Sequence, residues 1–106
     1  MQGRRIYWES RPAGNDLYDI LKQPGDYCGP IRGYSGDKPA VFFMLPITED
    51  VPGHPEARAL HHVCSPPHTF TEEVNGRLSI RASIGAGPGG HYYWHGHLYK
   101  GIWSKA

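Results

Sequence analysis

Residues 69–84 read Thr69-Phe70-Thr71-Glu72-Glu73-Val74-Asn75-Gly76-Arg77-Leu78-Ser79-Ile80-Arg81-Ala82-Ser83-Ile84, and this run decides the fold class. After Gly76 it keeps a strict period of two: Leu78, Ile80, Ala82 and Ile84 point one way, Arg77, Ser79, Arg81 and Ser83 the other. A strand with one apolar and one polar face, preceded by Asn-Gly, predicts a β-hairpin. Its register follows from the pattern. A two-residue Asn-Gly loop would set Phe70 on the face of Arg81. A three-residue loop, with Gly76 left-handed in a bulge, pairs Phe70 with Ile80 and Glu73 with Arg77 and is the one expected.

A second hairpin follows the glycine-rich connector Gly85-Ala86-Gly87-Pro88-Gly89-Gly90. Tyr93 to Leu98 forms its strand, Tyr99-Lys100-Gly101 its turn and Ile102-Trp103 its return, which pairs Leu98 with Ile102. Trp94, Gly96 and Leu98 then share the apolar face, and His91, His95 and His97 share the opposite one.

Upstream, Arg4 to Glu9 reads as an opening strand, with Ile6 and Trp8 on one face and Tyr7 on the other. Asn15 caps a short helix in which Leu17, Ile20 and Leu21 recur at i, i+3, i+4, and Pro24-Gly25 stops it. From Gln23 to Pro39 the chain is mostly turn formers, anchored at Tyr27, Ile31 and Tyr34. Ala40 to Leu45 reads as a strand buried on both faces. Between Ile47 and Pro67, Pro55 opens one helical turn or a loop. The fold class expected is therefore α+β and β-rich: a small antiparallel sheet built from hairpins, with one short N-terminal helix, in a single domain over residues 1–106.

Composition bounds the function. The chain has 106 residues, of which 14 Gly and 10 Pro make it turn-rich, while 13 aromatic residues argue for a packed core rather than disorder. Eleven Lys/Arg against ten Asp/Glu leave a formal charge of +1, so there is no basic footprint and nucleic acid is not the expected partner. No apolar run reaches the length of a membrane span or follows Arg4-Arg5 as a secretory leader would. Cys28 and Cys64 are too few for a disulfide framework. A soluble, cytoplasmic protein is expected.

Several constellations carry chemistry. Gly85 to Gly90 formally matches G-x-G-x-x-G, but Pro88 sits inside it, a His- and aromatic-rich strand follows, and the chain ends 16 residues after Gly90. The helix N-terminus and distant acid of a dinucleotide site are thus not expected. His95-Gly96-His97 sets two imidazoles on one strand face about 6.5–7 Å apart, close enough to reach one metal. Together with His91, Cys64 and His68 they offer tentative ligands for a four-coordinate zinc. The plainer reading makes the same histidines exposed or partner-facing. Cys64 beside His61, His62 and His68 supplies the types of a thiolate–imidazole pair without any stated geometry. Glu72 and Glu73, adjacent on a strand, face opposite sides and form no carboxylate dyad. Tyr92, Tyr93, His95, His97 and Trp103 are the residue types of a protein-binding surface.

The motifs Thr69-Phe70-Thr71, Asn75-Gly76-Arg77-Leu78-Ser79-Ile80, Ser83-Ile84-Gly85, Trp94-His95-Gly96-His97-Leu98 and Gly101-Ile102-Trp103 resemble a family of small uncharacterised proteins of bacteria and bacteriophages. The resemblance covers about residues 64–103. Many members look like metal binders through a cysteine cluster after the central strand. Here Met44-Leu45-Pro46 stands in that place, only His91 falls at the late histidine, and Ala82 replaces a proline. The resemblance implies a phage or prophage accessory protein directed at a host protein. The expected function is accordingly a protein-binding module, such as an inhibitor of a host defence or regulatory factor, rather than an enzyme, with zinc the one cofactor left open. The alternative is a zinc protein, in one form a small metal-dependent hydrolase. A third class is sequestration of a small ligand behind the Gly85–Gly90 loop.

Overall fold

A computed structural model describes residues 1–34 and 36–106. The chain is β-rich, as expected, but its strands form two sheets rather than one. The first contains β1 (Arg4–Ile6), β2 (Asp26–Ile31), β3 (Ala40–Met44) and β4 (Leu60–Cys64), in that order. The β1–β2 pair is parallel and the others antiparallel. The second contains β5 (Thr69–Glu72), β6 (Leu78–Ala86), β7 (Trp94–Tyr99) and β8 (Ile102–Lys105), an antiparallel meander.

The alternation of β3 builds the layers. Val41, Phe43 and Leu45 pack with Leu78, Ile80, Ile84, Trp94, Leu98 and Trp103 in a core shared by the two sheets. Ala40 and Phe42 face the other way and pack with Cys28 against Leu17 and Leu21. β3 is therefore covered on both sides, as its unbroken apolar run predicts. The short helix α1 (Leu17–Ile20) covers the outer side of the first sheet. Its cap is Asp16 rather than Asn15. The Asp16 carboxylate accepts from Leu17 N (2.7 Å) and Asp19 accepts from Asp16 N (2.8 Å), a reciprocal capping box that Asn15 cannot complete with this spacing.

Two strands were not expected. β2 lies within the stretch of turn formers because its first residue, Asp26, is almost fully buried while satisfying its neighbours. Asp26 Oδ2 accepts from Lys22 N, Gln23 N and Arg4 Nη2, and Oδ1 accepts from Arg4 Nε. Gly29-Pro30 falls where the β2–β3 register breaks, between Cys28 and Ile31, the place in a ladder where a missing N–H is tolerated. β4 follows a 3-10 turn at Pro55–Arg58, which the proline anticipates, and hides behind the polar letters of His61 and His62. The opening strand is shorter than expected, since the chain leaves it for a 3-10 turn at Trp8–Ser10. Ile6 and Trp8 nonetheless pack into the same cluster.

The first hairpin has the expected register. Phe70 faces Ile80, Glu73 N donates to Arg77 O (2.8 Å), and Gly76 is left-handed at φ 71°. Ala82 departs from the pattern: it is exposed. From Ile80 to Ile84 β6 takes four steps while its partners Leu98 to Gly96 take two, so a bulge carries Ala82 outward.

The second hairpin has a loop one residue shorter than expected, its first strand running on through Tyr99. Tyr99 pairs with Ile102 and Leu98 with Trp103, leaving a two-residue loop of Lys100 (φ 48°) and Gly101 (φ 75°), the backbone of a type I′ turn. A slip of one residue exchanges the two faces of the return strand. Trp103 therefore enters the core, and Ile102 is left on the surface.

Beyond β8 the N-terminal residues extend the second sheet. Trp103 N donates to Met1 O (2.8 Å), Gly3 N to Gly101 O (2.8 Å), and Gln2 bridges Ile102. The chain then crosses directly into β1, so residues 1–6 stitch one sheet to the other. At the opposite edge Arg5 Nη1 donates to Glu72 Oε2 (2.7 Å) and Gly76 O (3.0 Å) while Nη2 donates to Glu72 Oε1 and Gly29 O (2.9 Å), tying β1 to β5. Among the described residues no helix is long and apolar enough to cross a membrane.

Candidate functional site

The inner face of the second sheet is sealed against the core, so its chemistry is on the outer face. A groove of about 940 Å³ runs there, and Thr71, Ser79, Arg81, Ser83, His97 and Lys100 are among its lining residues. Strand alternation places these hydroxyl, imidazole and cationic groups together, because their neighbours Ile80, Leu98 and Trp103 turn inward. Lys100 N donates to Ser79 Oγ (2.8 Å), which ties the β7–β8 turn to β6. Lys100 Nζ lies 5.3 Å from the centre of the Tyr99 ring, a cation–π distance.

Tyr99 and Ile102 form a directly opposed cross-strand pair and are 62% and 47% exposed. The sequence pattern had placed Ile102 on the apolar face and Tyr99 within the turn. The Lys-Gly dipeptide, a two-residue turn with glycine at its second position, is the signal that would have corrected both.

At the far end of the groove, Ser83 joins two histidines. His95 Nε2 lies 2.9 Å from Ser83 Oγ, and Tyr92 stacks on the His95 ring at 5.2 Å between centroids. His68 Nε2 lies 3.1 Å from the Ser83 carbonyl. A carbonyl only accepts, so His68 Nε2 is the donor in this contact and Nδ1 faces elsewhere. That Nδ1 is buried and has no hydrogen-bond partner among the described residues. The Ser83–His95 contact has the reach of a nucleophile–base pair, but its surroundings are a ring stack and a strand ladder.

The other sequence-derived candidates scatter. His91 is exposed and follows the 3-10 turn Pro88–Gly90, ahead of β7 rather than on it. His97 is exposed beside the groove. Cys64 packs in the cluster beneath α1, on the other sheet. Among the described residues no three His, Cys, Asp or Glu side chains group as a metal site. His61 and His62 stack on Phe43 and Phe42 across β3–β4, and His61 Nε2 is 3.3 Å from Ala57 O. These histidines cap phenylalanines. Burial pushes the Cys28 thiol up to about 11, leaving it a packing residue.

Of the five aromatic and histidine residues expected at a binding surface, Tyr92 is 56% exposed, His97 is exposed, and Tyr93 and His95 are partly buried. Trp103 is not on the surface: the one-residue change in register puts it at the centre of the core. Gly85 and Ala86 of the G-x-G-x-x-G match end β6, and a 3-10 turn rather than an α-helix follows.

The surface is electrically uneven. Four of the eleven Lys/Arg but two of the ten Asp/Glu lie after residue 68. Of those two acids, Glu72 is engaged by Arg5, and that hydrogen bond holds its carboxyl below the usual range. Compared with known proteins, the chain matches no family model, no curated protein and no solved structure.

Proposed function

We propose that this chain is a protein-binding module that receives its partner on the outer face of the β5–β8 sheet. The observation that carries the reading is the exposed Tyr99–Ile102 pair beside the 940 Å³ groove. Aromatic and branched side chains held rigid on paired strands lose little entropy on binding. Ringed by polar groups, they have the make-up of an interface hot spot. The resemblance to phage and prophage proteins makes a host protein of the bacterial cytoplasm the partner class.

The test uses a photo-reactive phenylalanine analogue in place of Tyr99 or Ile102, with one at Tyr18, on the helix away from this sheet, as control. The expected result is one partner cross-linked from 99 and 102 and not from 18, and Tyr99→Ala with Ile102→Ala weakening the purified pair at least tenfold. Equal affinity for variant and parent overturns the reading.

A zinc-binding reading draws on a narrower observation. His68 and His95 both contact Ser83, and the buried Nδ1 of His68 has no hydrogen-bond partner among the described residues. Two imidazoles are half of a four-ligand set. Less than about a tenth of an equivalent of zinc in untagged protein removes this reading, since structural sites hold the ion tightly.

A further inference from the structure

We infer that the segment taken by this groove is acidic and extended; the inference rests on the binding-module reading and names the chemistry of its partner. The cations of the groove take part in no ion pair among the described residues. The ion pairs among the described residues are Arg4–Asp26, Arg5–Glu72, His54–Glu56 and Arg58–Asp50, and none uses Arg81 or Lys100. Among the described residues Glu73 is the one acid on the groove wall, against Arg81 and Lys100. The neighbouring Glu72 is already neutralised from the far side by Arg5. The hydroxyls of Thr71 and Ser104 add donors for carboxylates and for the carbonyls of an extended chain. Tyr99, which lines the groove next to Lys100, and its exposed cross-strand partner Ile102 supply an apolar rest.

The volume is at the top of the range for small-ligand cavities, and the groove is open rather than enclosed, which suits a length of chain better than a metabolite. A nucleic-acid strand shares the negative charge. It presents a phosphate at every nucleotide, however, and is held through many Lys/Arg contacts, while two cations facing one glutamate suit scattered carboxylates.

The experiment is fluorescence anisotropy of the full chain with a short dye-labelled peptide, half Asp/Glu and half Leu/Phe, beside the same peptide with Lys in place of the acids. The expected result is binding of the acidic peptide that weakens as salt is raised and falls roughly tenfold or more in Arg81→Glu. Arg81→Gln, a milder change at an exposed position, should fall between. Equal binding of the Lys peptide, indifference to Arg81→Glu, or displacement by a single-stranded oligonucleotide at equal charge concentration overturns the inference. With the cross-linked partner in hand, loss of binding in Tyr99→Ala without response to Arg81→Glu rejects the acidic segment and keeps the binding face. Indifference to both rejects the two together.

Discussion

Trp103 stands directly opposite Leu98 across the β7–β8 pair, and each is 1% exposed. The indole is the hinge of the core. It meets Trp94 edge-on at 5.8 Å, Phe43 at 5.4 Å and Tyr27 edge-on at 6.4 Å between centroids, so it joins residues of both sheets. Its Nε1–H donates to Gly25 O at 2.9 Å in the interior. Trp103→Ala should cost about 3–5 kcal/mol from lost burial and the cavity left behind. Trp103→Phe keeps most of the ring but orphans the Gly25 carbonyl, and should cost about 1–3 kcal/mol. Urea denaturation measures both. A change of less than half a kcal/mol in Trp103→Phe would show that the carbonyl finds another donor.

The register that buries Trp103 is set by two residues. Lys100 occupies the left-handed region at φ 48°, where a residue with a Cβ is strained and asparagine is better tolerated. Lys100→Asn makes the turn Asn-Gly, the preferred type I′ pair, and should raise stability by about 0.5–1 kcal/mol, or several degrees in Tm. Thermal unfolding followed by circular dichroism checks it. A lower Tm would mean that the Lys100–Tyr99 contact outweighs the turn strain.

The same turn shows where sequence reading succeeds and where it stops. The first hairpin was legible down to its cross-strand pairs because both strands alternate cleanly and only one loop length keeps Phe70 with Ile80. In the second, Ile102 and Trp103 are both apolar, so the pattern cannot choose which faces inward, and only turn chemistry decides. β2 was invisible for another reason. Asp26, Gly29 and Pro30 are poor strand formers alone, and their places are justified by partners distant in sequence, Arg4 above all. Of the candidate site, the polar face with His95 and His97 followed from period two. The meeting of His68 with Ser83 depends on β5 and β6 pairing beyond the loop at Ser65–Pro67, and no local signal reports it.

Exposed residues of the proposed binding face should separate binding from stability. Tyr99 and Ile102 make their contacts on the solvent side, so Tyr99→Ser with Ile102→Thr should leave stability within about 0.5 kcal/mol, both replacements being sound on a strand surface. The urea midpoint of the double variant should match the parent while partner affinity falls. A loss of more than about 2 kcal/mol would place the pair in the structural frame instead.

The tie between β1 and β5 predicts a pH dependence of definite sign. Arg5 is 10% exposed at its side chain and Glu72 is 60% exposed, and the guanidinium also serves the carbonyls of Gly29 and Gly76. The Arg5 hydrogen bond holds the Glu72 carboxyl below its ordinary value of 4.5. A group whose pKa is depressed by folding contributes stability that is complete above its unfolded pKa and is lost as pH falls through the folded one. The contribution is small, on the order of 0.5–1 kcal/mol, because water screens the exposed carboxylate. The parent should therefore lose stability between about pH 5 and pH 3 more steeply than Glu72→Gln, whose missing charge removes this part of the slope. Asp16 and Glu56, also held below the usual range, titrate alike in both proteins and cancel in the comparison. Arg5→Met is the harsher change, since it takes the guanidinium from the Gly29 carbonyl and the Glu72 carboxylate and leaves the Gly76 carbonyl only the longer contact from Tyr7 Oη at 3.4 Å. It should cost about 2–3 kcal/mol at neutral pH. Parallel urea midpoints for parent and Glu72→Gln across the acid range would show that the pair is electrostatically idle, and that Arg5 holds the sheets through the two carbonyls alone.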